Sequence, residues 1–105
     1  MSLDQLIEIA GSFNHPEQET IEAIRSLALL ALAGVDCREE LDDIIQWQLS
    51  GSVEIRRSLV NAALTARMVT CLSLLEAAEE RESSPPLRRL MASTIAALRA
   101  MREEQ

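Results

Sequence analysis

From Leu27 to Ala33 the chain reads Leu-Ala-Leu-Leu-Ala-Leu-Ala, seven residues with no polar side chain and a strong preference for helix. This run constrains the fold more than any other stretch. A helix with a single apolar stripe can lie on the surface of a domain, but one that is apolar all round has to be covered on several sides. The segment is therefore expected either at the centre of the fold or beneath a partner.

Composition extends the same argument. Leucine and alanine fill 30 of the 105 positions, and there is one tryptophan, one phenylalanine and no tyrosine. The residues that favour strands are scarce, so the expected class is all-α, folded as a single helical domain over residues 1–105. Catalytic stock is scarce too. With no lysine, one histidine and two cysteines, the chain has few of the side chains that enzymes tune into acids, bases and nucleophiles, and an enzyme is not expected. Seventeen carboxylates against ten arginines give a net charge of -7, which repels phosphate backbones and anionic lipid surfaces. Nucleic-acid and membrane binding are not expected. The apolar segment from Leu59 to Leu75 contains Asn61 and Arg67 and is shorter than a bilayer span, so it reads as a buried helix. The first residues carry no basic, apolar signal of the secretory type, and the expected location is the cytoplasm.

Start and stop signals divide the chain into five helices. The first, 3–10, begins at a capping box of Ser2 and Gln5. Gly11 to Pro16 breaks it, with Asn14 able to cap and Pro16 suited to the first turn of the second helix, 17–33. Gly34 is placed to end that helix in the left-handed conformation. Asp36 and Glu39 open the third, 37–49, with Leu41, Ile44, Ile45 and Leu49 inward and Arg38, Glu40, Asp42, Asp43, Gln46 and Gln48 outward. Ser52 opens the fourth, 53–80, whose two apolar rows imply a central helix. The pattern does not decide between one rod and a bend near Thr65 to Thr70. Pro85-Pro86 restarts the chain into the fifth helix, 86–103, with Leu87, Leu90, Met91, Thr94, Ile95, Leu98 and Met101 on one face.

Each candidate for chemistry reads more simply as structure. His15 lies in a turn with no nucleophile or carboxylate constellation beside it. Asp36, Glu39, Glu40, Asp42 and Asp43 lack the glycine and alternating ligands of a calcium loop, and Glu76, Glu79 and Glu80 lack the histidines of a di-iron site. Cys37 and Cys71 have no CxxC spacing and read as small buried hydrophobes, and neither Ser84 nor Cys71 has a base beside it. No cofactor or metal is expected. The remaining function is binding, and the candidate partner-facing residues are Leu29, Leu32, Trp47, Met68, Leu72 and Leu75. Trp47, beside the inward row of the third helix, reads first as core and second as an aromatic anchor on a partner-facing groove, and core is also the simpler reading of each of the others taken singly.

Helices two and three together occupy the length of one tetratricopeptide unit, Glu17 to Ser50, although its Trp and Leu-Gly pair are missing. Paired antiparallel helices of this kind stack into an array with a groove on one side, or close into a compact bundle; the stack is preferred. The run from Glu22-Ala23-Ile24-Arg25 through Ala33-Gly34, with the acidic start Arg38-Glu39-Glu40-Leu41, resembles the central hairpin of the tetratricopeptide-like chaperones that hold type III secretion needle subunits in the bacterial cytoplasm. The layout from Ser83-Ser84-Pro85-Pro86-Leu87 to Met101-Arg102-Glu103-Glu104-Gln105 is similar as well. The resemblance implies a small chaperone or adaptor whose apolar groove captures an amphipathic helix of a partner, while a second small helical co-chaperone covers the N-terminal hairpin. Two other readings stand beside it. One is an acidic regulatory or inhibitory protein that binds a basic surface, and the other is a self-associating helical homodimer that buries the second face of the fourth helix.

Overall fold

The helix starts with serine caps form as the sequence dictates. Ser2 Oγ accepts the Gln5 amide at 3.2 Å while Gln5 Oε1 accepts the Ser2 amide at 2.8 Å, and Ser52 Oγ accepts the Ile55 amide at 3.3 Å. The computed structural model describes residues 1–104; Gln105, the last residue of the C-terminal run quoted above, lies outside the described residues. Six α-helices follow in order: α1 (Leu3–Gly11), α2 (Glu17–Leu32), α3 (Arg38–Gln48), α4 (Val53–Thr65), α5 (Leu72–Arg81) and α6 (Pro85–Glu103). A 3-10 turn, Val69–Cys71, precedes α5, and no strand occurs among the described residues. The class is all-α.

Five helices become six because the expected 53–80 helix is two. α4 ends at a C-cap on Ala66, and Arg67 takes a left-handed backbone with φ of +56°. The Met68 amide then bonds Ala63 O at 2.8 Å and the Arg67 amide bonds Leu64 O at 3.1 Å, a Schellman closure. α2 ends in the same way, with Gly34 at φ +99° and the Val35 amide on Leu30 O at 2.9 Å, as its sequence predicts. No glycine marks the second ending. The N-cap of α2 is Pro16 rather than Asn14, which turns its amide to Ser12 Oγ at 3.0 Å.

Polar side chains at the helix ends reveal the helix directions. Gln48 Nε2, at the end of α3, donates to Ala10 O at 2.9 Å and Ser12 O at 3.3 Å, at the end of α1. Ser52 at the start of α4 bonds Glu17 at the start of α2, 3.1 Å away, and Arg56 in the first turn of α4 grips Glu82, just before α6. At the opposite ends, the Arg38 guanidinium donates from Nη2 to Ala31 O at 3.3 Å and from Nη1 to Ala66 O. Hence α2, α4 and α6 run one way, and α1, α3 and α5 run the other. α2 packs beside α4 and α4 beside α6, while α1 lies on α2, α5 on α6, and α3 against α1, α2 and α4. The slab measures 34 × 32 × 16 Å, two helix layers thick.

The core lies between the layers. Ile24 and Leu27 of α2, Leu41 and Ile45 of α3, Leu59 and Val60 of α4, Leu75 of α5 and Met91 and Leu98 of α6 are fully buried. Within the apolar run, Leu27, Ala28 and Ala31 are buried, whereas Leu29 and Leu32 are not. Gln48, expected outward, is fully buried, because the end of α1 needs a donor for its last carbonyls.

Candidate functional site

The six candidate partner-facing residues do not come together. Leu29 and Leu32 are 52% and 51% exposed on the free side of α2, near its C-terminal end. Trp47 is 63% exposed at the other end of α3. Met68, Leu72 and Leu75 are in the core, because the break after Ala66 turns the second row of the expected long helix inward against the 3-10 turn and α6.

Leu29 borders a groove between α2 and α4. It has a volume of about 430 Å³, with Ile21, Ala28, Leu29 and Ala62 supplying apolar wall and Ser58 and Asn61 supplying polar wall. Two helices packed side by side leave such a furrow between their cylinders. A second groove, about 360 Å³, runs between α1 and α2, with Met1, Leu6, Ile9 and Ala23 apolar and Glu19 and Glu22 at its rim.

The side chains with chemical potential are occupied. Cys71 is buried and donates Sγ–H to Asp42 Oδ1 at 3.0 Å; burial, reinforced by that carboxylate, pushes its thiol up to about 12. Burial also raises Cys37, whose Sγ lies 3.6 Å from Leu27 O. In both cases burial disfavours the thiolate, the form in which a cysteine attacks. Glu82 has a side chain only 2% exposed and accepts Arg56 Nε at 2.8 Å and Nη2 at 2.9 Å, together with the Ser84 amide at 3.1 Å. The Arg56 hydrogen bonds hold its carboxyl below the usual carboxylate range, and the same pairing raises the guanidinium. The recess of about 470 Å³ beside them is lined by this ion pair and by Arg81. His15 is half-buried in its turn. Among the described residues no three His, Cys, Asp or Glu side chains are grouped as a metal would need, and no helix is long and apolar enough to cross a membrane.

Phe13 and Val35, 60% and 37% exposed, were absent from the sequence-derived set. A signal was present: both stand in the loops that close α1 and α2, where no helical stripe draws a side chain inward. Comparison with protein-family models, curated proteins and solved structures finds no match to the chain.

Proposed function

We propose that the chain is a protein-binding module, a short stack of three antiparallel helical pairs that holds the apolar face of a partner's amphipathic helix in the groove between α2 and α4. The observation that carries this reading is the half-exposure of Leu29, which lines that groove, and of Leu32 one turn further along α2. Two leucines half in solvent at i and i+3 on a core helix cost solvation that their burial under a partner would recover. The alternating helix directions support the tetratricopeptide-like stack, since such arrays leave one layer free to bind.

The resemblance to chaperones of type III secretion needle subunits supplies the partner class: an aggregation-prone helical subunit in the bacterial cytoplasm, with a small helical co-chaperone over the α1–α2 groove. Recognition is of the helix-in-groove kind, and no catalytic step is assigned to the chain.

The test is affinity capture from bacterial cytoplasm with the wild type and with the surface pair Leu29→Glu and Leu32→Glu. The reading expects one helical partner retained by the wild type and lost from the pair variant at unchanged thermal stability. Equal retention by both proteins would remove the groove from the account, and retention of nothing by either would remove the binding role.

A further inference from the structure

A small domain ordinarily spends its aromatic residues on the core, where they bury more area than any other side chain. This chain has one phenylalanine and one tryptophan, and both stand on the surface against each other, with ring centroids 5.9 Å apart and planes tilted by 42°. The pair is held in place from beneath. Buried Gln48, the neighbour of Trp47, bonds Ala10 O and Ser12 O, and Ser12 Oγ accepts the Asn14 amide across Phe13. Both rings are thus displayed on fixed backbone, and a preordered aromatic anchor loses little freedom on binding.

The two helices that lead to the rings carry unpaired negative charge. Glu40, Asp43 and Trp47 recur at helical spacing along α3, with Asp36 just before its start, and Asp4 and Glu8 lead along α1 toward Phe13. None of these five carboxylates forms an ion pair among the described residues. Residues 1–50 carry ten Asp and Glu against two Arg, while residues 51–105 carry seven against eight, so the charge of the protein is concentrated on this half. Unpaired like charges at i, i+3 and i+4 oppose each other, and a cation laid along them reverses that cost.

We infer that the Phe13–Trp47 pair and the carboxylate-bearing face of α1 and α3 form a second docking surface, for an arginine- or lysine-bearing segment of a protein partner, with one cationic side chain seated on the rings. A guanidinium or ammonium over an indole face is attracted by its quadrupole, and the carboxylates bring the segment in. This surface is separate from the α2–α4 groove and stands without it.

Trp47 is the only tryptophan, so its emission reports the site directly. The full chain is titrated with an arginine-glycine repeat peptide, following Trp47 fluorescence and, for variants, calorimetry. The expected result is a saturable change in emission, with affinity falling about tenfold or more from about 50 to about 500 mM salt, and weakened about fivefold by Phe13→Ala and by Asp43→Lys. The Leu29→Glu and Leu32→Glu pair leaves it unchanged. No emission change, equal affinity in both site variants, or an identical response to spermine overturns the proposal. Salt-sensitive sedimentation as a dimer without peptide overturns it too, because the arginines of a second copy would then be the occupant.

Discussion

The two edges of the slab, joined by α3 over about 16 Å, are built differently. At the Arg38 edge one guanidinium closes the C-terminal ends of two parallel helices, meeting Ala31 O, Ala66 O and Met68 Sδ, and both helices end in left-handed caps. At the Gln48 edge the work is divided: a neutral amide joins α1 to α3, and a carboxylate–guanidinium pair joins α4 to the start of α6. The exposed apolar side chains differ in step. Leu29, Leu32 and Val35 accompany the first edge, while Phe13 and Trp47 accompany the second. In a chain whose core is built mainly from Leu, Ile and Ala, apolar burial holds the layers together, and polar side chains that satisfy helix ends tie one helix pair to the next.

Breaking the Arg38 edge should cost most. Arg38→Ala leaves the last carbonyls of two helices without their cation and is expected to destabilise the protein by about 3 kcal/mol, read by urea unfolding. Glu82→Gln, at the other edge, should cost about 2 kcal/mol at neutral pH. The sign of its pH dependence follows from the lowered native pKa. The contribution is present above the unfolded value of 4.5 and is lost as pH falls through the native one. The stability gap between wild type and Glu82→Gln should therefore be constant down to about pH 5 and shrink below it; a gap that is flat throughout acid unfolding would place the stabilisation elsewhere. Gln48→Ala, which strands Ala10 O and Ser12 O, is expected to cost about 1.5 kcal/mol and to reduce the near-ultraviolet signal of Trp47.

The smallest effects separate the two left-handed caps. Gly34→Ala should cost about 1 kcal/mol even though nothing lies within 4 Å of the added carbon, since the penalty is in the backbone. Arg67→Gly should stabilise by about 0.5 kcal/mol, because relief of the same conformation is partly offset by loss of what the Arg67 side chain contributes to the folded state. Equal and opposite changes, measured by thermal unfolding, would mean that the Arg67 side chain contributes nothing to the folded state.

These edges also explain what the sequence disclosed. Gly34 and the serine caps act on their own neighbours, so the ends of α1, α2 and α4 that they govern are legible locally. The break after Ala66 carries no glycine or proline, because the group that closes it, Arg38, lies 28 residues earlier. For that reason Met68, Leu72 and Leu75 read as a second face of a long helix and are core. Gln48 reads as outward by its residue type and is buried for the same cause, service to another helix end. Leu29 and Leu32 were legible as surplus apolar surface. The pairing of Trp47 with Phe13 was not, since it joins a helix residue of α3 to a residue of the loop after α1, which only the packing of α1 on α3 brings together.

The two exposed apolar regions, Leu29 with Leu32 and Phe13 with Trp47, are expected to bind different chemistry. Amide-resolved NMR titration of the full chain with a neutral leucine-bearing amphipathic peptide and with the arginine-glycine peptide, each at about 50 and about 500 mM salt, tests it directly. The predicted result is that the first peptide shifts amides of α2 and α4 around Leu29 and Asn61 at both salt concentrations, and the second shifts Phe13, Asp43 and Trp47 at low salt alone. Shifts at the same residues for both peptides, or the same salt dependence, would contradict it.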